Sequence, residues 1–533
     1  VQAGLESFDY IVVGGGSAGC AVANRLVSAG RRVLLLEAGA RDNSPFVHIP
    51  ATTYKVIGSR RNWAYETEVM HGLGGRSTVI HQGKTLGGGS SSNGMVYIRG
   101  QAEDYDGWQA AGCTGWSWSD VLPFFKKSEG NQRVHNEFHG NDGPLKVSDP
   151  LNPHELCDAF IKAGTQVGLP LNTDFNGRSQ IGVGYYQTTT FQARRWSAAR
   201  AYLASVRDNP LLRIETGARV LCVVTENGAA AGVRYRKDNG QEFQAAIRDE
   251  VILSAGAFAS PTLLQLSGIG PAAHLASLGI PVIRDVPQVG QNLQDHCNAV
   301  VTAKLKHPIS LDRERTGLRA AKHLVNYALF RSGVLASNVF QSGGFADTDG
   351  DGRADVQYHM MPSYGPPTSG VERDGRDGMA IMVYPIRPKS RGFTRLRSAD
   401  PTDLPQVDPG YLSHHDDVLA TIRGVLLARQ IIRAPALAAY VEKEVAPSSD
   451  DKISDAALET FVRRVGGTVY HPAGTCRMGT DEDAVVDPRL RVRGVGRLRV
   501  ADASVMPMLI SGNTNATSIM IGERCAVFIL GEK

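Results

Sequence analysis

The amino-acid sequence predicts an α/β protein, α+β overall, in which a doubly wound nucleotide-binding domain is joined to a second domain. Three observations carry that expectation. The first is size: 533 residues exceed what one small hydrophobic core can serve, so two joined domains or one two-lobed unit are expected. The second is the opening stretch FDYIVVGGGSAGCAVANRLVSAGRRVLLLEAG. It reads as a buried strand over 10–13, a glycine turn, a helix turning Ala21, Ala23 and Leu26 inward, and a second buried strand over 33–36, which makes a βαβ unit. The third is the stretch 211–256, where short alternating strands turn at Asn227-Gly228 and DEVILSAGA then reads as a buried strand returning to the nucleotide domain.

Bulk properties exclude several classes of function. The composition is 42% hydrophobic and 21% charged, that of an ordinary folded protein and not of a disordered one. A net charge of +4 with no polybasic run indicates neither nucleic acid nor an anionic membrane as partner. Seven widely spaced cysteines argue against a disulfide framework and for reduced thiols in a cytosol-like compartment, cytoplasmic or membrane-associated. No apolar run is long enough to form a transmembrane segment. The first strand begins at Phe8, which leaves no room for a signal peptide in the chain as given, and a leader removed earlier stays open. Self-association also stays open.

The glycine turn holds the first chemistry. Gly14, Gly16 and Gly19 form G-x-G-x-x-G: the first makes the tight turn, the second lets a pyrophosphate approach the backbone, and the third lets helix and strand pack closely. Ser17 and Ala18 open the helix, whose free N–H groups face the phosphates. Glu37, at the end of the second strand and followed by Ala38, is placed to accept hydrogen bonds from a ribose diol. Strand, turn, helix, strand and acid all occur in register, so a dinucleotide site is expected, although the phosphate cradle is the same for NAD and for FAD.

A second glycine- and serine-rich stretch, KTLGGGSSSNGMVYIRG over 84–100, leads at once into residues that should be buried, so its glycines let backbone run against a flat ligand. Together with RRNWAYETE, GPLKVSDP, SAGAFASPTLLQLSGIG, VGQNLQDH, YHPAGTCRMG and RVADASVMPMLISGNTNATSIMIGERCA, it makes the chain, from about residue 7 to 530, closely resemble the glucose–methanol–choline (GMC) family of flavin oxidoreductases. Some motifs are similar to choline dehydrogenases, others to sorbose and polyethylene-glycol dehydrogenases. The resemblance implies a Rossmann-like FAD-binding domain assembled from 1–150, 211–300 and 466–533, and a substrate-binding domain from 151–210 and 301–465, built on an antiparallel sheet over the flavin ring. It further implies cofactor contacts at Trp63, Gly88, Asn93, Gly94, Met95, Val96, Val220, Ala255, Asp502, Ala503 and Thr514, with Tyr470 and Val469 shaping the substrate pocket and Trp63 matching a pocket aromatic. Ser92 stands where some relatives carry a histidine bonded to the flavin, so FAD is expected to be held non-covalently. Within 301–465, DDVLATIRGVLLARQIIRAPAL has the spacing of an amphipathic helix. The acidic turn DTDGDGRAD, 347–355, lacks the closing glutamate of a calcium loop.

YHPAGTCRMG, 470–479, poses a choice between a metal site, a cysteine nucleophile and a rigid turn aiming one histidine. Pro472 disfavours helix for His471, and Gly474 permits a bend. With only His471 and Cys476 nearby, zinc lacks ligands and none is expected, and Cys476 lacks a supporting motif for nucleophilic catalysis. The family resemblance makes His471 the catalytic base and Asn513 its partner. A neutral imidazole can take the hydroxyl proton of an alcohol near pH 7, and the amide can hold the oxygen while hydride leaves carbon for flavin. Asn513 could instead cap the helix that NTNATSIMIGERCAVFIL starts. The expected activity is oxidation of a primary alcohol to the aldehyde, with electrons passing to oxygen, a quinone or another carrier. The candidate substrates are choline, sorbose or another sugar alcohol, polyethylene glycol, aryl alcohols and pyridoxine. The alternative is a hydroxynitrile-lyase-like FAD protein without net redox.

Overall fold

The computed structural model describes residues 6–364, 372–375 and 377–531. Its first sheet has the strand order Leu212–Thr216, Val33–Glu37, Glu6–Val13, Glu242–Leu253, Ala229–Lys237, Ala218–Glu226, with Leu498–Val500 also paired to Glu242–Leu253. The opening strands are parallel neighbours, and Val33–Glu37 shows no apolar–polar alternation because both of its faces are covered: all five of its residues are buried. The hairpin Ala218–Glu226 to Ala229–Lys237 turns at Asn227 (φ 49°) and Gly228 (φ 77°), two successive left-handed residues as a tight hairpin requires. The long strand Glu242–Leu253 joins two environments. Its first half pairs antiparallel with this hairpin, and its last residues pair parallel with Leu498–Val500.

The second sheet is antiparallel throughout, in the order Val441–Ala446, Cys297–Leu305, Gly378–Pro385, Val356–Met361, Ser342–Ala346, Gly182–Tyr185, with Gly467–Thr468 also on Cys297–Leu305. The period of two divides its central strands. Val356, Tyr358, Met360, Ile381 and Val383 face a hydrophobic core shared with helix His415–Arg433, the helix expected from the spacing of 416–437. That helix comes close because position 424 is glycine: a Cβ there would lie 2.6 Å from Val383 Cγ1 and 2.9 Å from Val356 Cγ1. Gln357, His359, Met382 and Tyr384 point the other way, and Gln357 is cross-strand to Tyr384 as His359 is to Met382.

The two cores do not follow chain order. The core beneath the antiparallel sheet includes Tyr65, Met70, Leu73 and Ile80 from early in the chain, whereas Ala198, Ala199, Tyr202 and Leu203 join the core of the first sheet.

Helices Ser17–Ser28 and Asn515–Gly531, one from each end of the chain, pack on each other and are pinned by Arg25, which donates to the buried carboxylate of Glu523. At their crossing a Cβ on Gly522 would lie 2.5 Å from the Ala18 carbonyl oxygen. Ser17 Oγ donates to Asn515 Oδ1 at 2.7 Å, so both helix N-termini are held at one place. Gly522→Val should force the helices apart and cost about 1–3 kcal/mol, as overpacked cores do. The expected result is a lower thermal midpoint with loss of flavin on gel filtration; a variant that melts with the wild type and keeps its flavin would refute this close approach.

Candidate active site

One cavity of about 350 Å³ lies between the two sheets. Its lining includes Gly14, Gly16, Ser17, Ala18, Glu37, Ala38, Trp63, Gly88, Asn93, Gly94, Met95, Val96, Val220, Ala255, Asp502, Ala503, Asn513, Thr514, Val469, Tyr470 and His471, so the fold gathers almost every residue singled out in the sequence. Gly19 is the exception. It lies under the turn, where a Cβ would run into the Gly14 carbonyl, which is the close-packing role expected of the third glycine.

The cradle fits a dinucleotide. Gly14 has φ +103°, and Gly88 packs so closely on the first turn that a Cβ there would lie 2.7 Å from Gly16 Cα. A Cβ on Gly16 itself would meet only Ser254 O, at 3.8 Å, so the space it leaves belongs to the cavity. Two helix N-termini, at Ser17 and Asn515, open on the same wall. Glu37 accepts from Gly15 N (3.0 Å) and Gly39 N (2.7 Å), and burial pushes its carboxyl up to about 7 against those hydrogen bonds. Asp502 accepts from Gly256 N and Ser260 Oγ, which ties the start of helix Gly256–Leu266 to the cavity wall.

Arg195 carries no motif that marks it in the sequence. It is 1% exposed and, among the described residues, donates to neutral acceptors: Val47 O, Ser90 O, Asn93 Oδ1 and Thr53 Oγ1. Burial lowers its pKa to about 9. A buried cation without a carboxylate partner is costly, and two of its acceptors, Asn93 and Thr53, line the cavity, so an anionic occupant would balance it.

Trp63 lines the cavity beside two cations. It stands between Lys84 Nζ (4.2 Å from the ring centroid) and Arg219 Cζ (5.2 Å), beside Ala38. The rings near His471 are those of Phe340, His359 and Tyr384. His359 and Tyr384 come from strand interiors without a motif; only the alternation of two neighbouring strands could have paired them.

The geometry at His471 shows which partners each group of the motif meets. Cys476 is buried, its thiol pushed well up by desolvation, and neither ring nitrogen of His471 contacts it. His471 Nδ1 lies 2.9 Å from His296 Nδ1, and His471 Nε2 lies 3.0 Å from Asn513 Nδ2. The tautomers follow from the far end of this chain. His296 Nε2 is 3.2 Å from the Ile386 carbonyl, which can only accept, so His296 carries its proton on Nε2. Burial lowers the His296 pKa to about 4, so this ring is neutral and its Nδ1 accepts. With His296 donating from Nε2 to Ile386, the matching arrangement has His471 donating from Nδ1 and the lone pair of its Nε2 facing Asn513. Asn513 does not cap the following helix, which begins at Asn515; its Oδ1 accepts from Gln357 Nε2 at 3.2 Å, which turns its NH₂ toward His471.

The backbone aims the ring. Tyr470 has φ +68°, a left-handed conformation that costs a bulky residue about 1–3 kcal/mol. Its N–H donates to Thr468 Oγ1, and His471 N donates to Asp295 Oδ1 at 2.8 Å, while Thr468 and Tyr411 hydroxyls hold the other Asp295 oxygen. His296 and Asp295 lie in VGQNLQDH, a motif visible in the sequence but not assigned a role there. Elsewhere, oxygens of Asp347, Asp349 and Asp355 converge on the surface beside Arg387 and Arg423.

Two family models, both described as GMC oxidoreductase, match residues 8–298 and 388–522. The chain is 43% identical to an alcohol dehydrogenase (acceptor) of Pseudomonas putida over 98% of this chain and 96% of that protein. It is 42% identical to mitochondrial choline dehydrogenase of Homo sapiens, over 100% and 91% respectively. Among solved structures, pyridoxine 4-oxidase from Mesorbium loti superposes with a TM-score of 0.88 at 31% identity, covering 98% of each chain. With the nucleotide cradle, the antiparallel sheet and the histidine-bearing cavity in one molecule, this chain belongs to the GMC oxidoreductase family and is an FAD-dependent oxidoreductase of the kind that acts on alcohols.

Proposed function

We propose that this enzyme oxidises a primary alcohol to the aldehyde, with His471 as general base and Asn513 orienting the hydroxyl. The observation that carries this reading is the 3.0 Å approach of Asn513 Nδ2 to a His471 Nε2 whose partner nitrogen is committed to His296. A hydroxyl entering between them would donate to Nε2 and accept from the amide, exchanging one hydrogen bond for two. His471 takes the proton as negative charge grows on oxygen, and the Asn513 dipole stabilises that charge. His296 acts through His471: it holds the tautomer and ring orientation and accepts from Nδ1–H while the imidazolium exists. FAD, held non-covalently by the cradle that includes Gly14, Gly16, Ser17 and Glu37, would supply the hydride acceptor, and oxygen or a quinone-type carrier would take the electrons onward.

The lining around the base is apolar and aromatic. Around His471 stand Phe340, His359, Met382, Tyr384, Val469 and Tyr470, with no carboxylate among the described lining residues there. Of the acids that do line the cavity, Glu37 and Asp502 serve the nucleotide cradle and Asp403 lies in the field of Arg219. Aromatic faces of this kind accept an uncharged alcohol and, through cation–π attraction, the quaternary ammonium of choline as well. We also propose the discontinuous division into 1–150, 211–300 and 466–533 against 151–210 and 301–465, with side chains at 65–80 and 198–203 packing across it into the other core.

Anaerobic addition of alcohols should bleach the yellow flavin, and His471→Ala should slow that bleaching about 10²–10⁴-fold with flavin still bound. Substrate that turns over while the flavin spectrum stays intact would point to the lyase alternative, and wild-type rates in the variant would reject the base. Burial, then the neighbouring rings of His296 and His359, hold the His471 pKa well below 6.5. The neutral, proton-accepting form thus persists into acid, and the acidic limb of kcat/KM should fall below pH 6.5; a limb at or above that value would contradict the burial argument. His296→Leu should lower kcat about 10–100-fold with little change in KM or flavin content, as loss of an orienting partner does.

A further inference from the structure

Helix Gly317–Phe330 breaks the rule that a surface helix turns its apolar side inward. Only Tyr327 is buried; it packs with Ile49, Ala193 and Ala336 and donates to the Ala193 carbonyl at 2.8 Å. Leu318, Val325 and Leu329, spaced i, i+7 and i+11 and so on one face, are 90%, 57% and 69% exposed, with Leu324 and Phe330 exposed at 56% and 70% beside them. Five large apolar side chains projecting from one helix make a patch that soluble monomers rarely leave uncovered.

The charges around the patch say what covers it. The helix carries Arg319, Lys322 and His323 and no acid, and Arg331 follows it at once. Arg319 and His323 are paired with Glu314, and Arg313 and Arg315, just before the helix, are paired with Asp377 and Asp312. Lys322 and Arg331 have no acidic partner among the described residues; the Arg331 guanidinium stacks on the Tyr327 ring at 4.9 Å. An apolar outward face edged by unpaired cations matches an anionic lipid surface, where the side chains enter the acyl boundary and the cations reach headgroup phosphates. A second copy of this chain is a poorer fit, because a two-fold contact across this helix would bring its cations against each other with no acid to answer them.

We propose that helix Gly317–Phe330 is an interfacial anchor that lies in the surface of an anionic bilayer. It lies on the membrane and does not cross it: among the described residues no helix is long and apolar enough to span. The anchor would also bring the cavity wall to the lipid, since Arg315 stacks on Tyr54 (5.4 Å), the neighbour of Thr53 in the segment that lines the cavity with Thr53 and Ile57. The absence of a polybasic run hid this surface, because the cations matter only in company with an apolar face that folding leaves outward.

The test is co-sedimentation of the FAD-loaded enzyme with vesicles of phosphatidylcholine alone or mixed equally with phosphatidylglycerol, with light scattering on the same samples. The expected result is binding to the mixed vesicles that weakens with salt and falls at least about tenfold in Lys322→Glu/Arg331→Glu and in Val325→Glu/Leu329→Glu. Both variants change exposed residues, so alcohol-dependent flavin bleaching should stay at the wild-type rate and report intact folding. Wild-type enzyme that stays in the supernatant with both vesicle types, or binding untouched by either variant, would overturn the anchor. So would a wild-type mass twice that of the chain, halved by Val325→Glu/Leu329→Glu without any vesicle binding, which would mark the face as a contact between copies.

Discussion

The backbone carbonyls that accept hydrogen bonds from His296 orient the candidate site. From Ile386 O through His296 and His471 to the amide of Asn513, each hydrogen bond fixes the direction of the next, and the chain ends with a lone pair aimed into the cavity. Neutral imidazoles transmit that direction only while neither is protonated in the resting state, and burial ensures this by penalising the charged forms. The amide at the end is turned the right way round by Gln357, from a strand far away in sequence.

The antiparallel sheet makes this possible because its two faces do different work. One face is a packed core under helix His415–Arg433; the other presents Gln357, His359, Met382 and Tyr384 toward the cavity side. A rigid strand that is buried on both sides can hold polar groups to a fraction of an ångström, which a loop would not. The cost is visible. His359 Nδ1 and Gln357 Oε1 are buried and find no hydrogen-bond partner among the described residues, and Tyr470 sits in a left-handed conformation. Such groups persist where the surrounding packing over-determines them, and they cluster around His471.

The cofactor cradle shows the same logic in electrostatic form. Two helix N-termini and the buried guanidinium of Arg195 concentrate positive potential behind a wall of glycines and small residues. That potential is expensive without an anion and favourable with one, so the cavity is built for a ligand bearing phosphates.

Much of this was legible in the residues. The βαβ unit followed from periodicity, because glycine is needed where backbone meets backbone at Gly14 and Gly19, and apolar runs are needed where a strand is covered on both faces. His471 and Asn513 were legible through motifs, since a proline and a glycine mark a bend whatever surrounds it. What local pattern could not reach was the company these residues keep. Gln357, His359 and Tyr384 join the site through strand pairing and alternation in a sheet whose buried strands show no contrast between faces, His296 arrives from the segment just before Cys297–Leu305, and Trp63 meets in Arg219 a cation distant in sequence. Arg195 looks like any surface arginine until folding removes its solvent, and the apolar side of helix Gly317–Phe330 looks like a core face until the fold turns it outward. The sequence by itself determined the local conformations and, through motifs, the candidate groups of the site, because those depend on neighbours along the chain; only the tertiary structure decided which side chains meet, burial and exposure, because those depend on what lies across space.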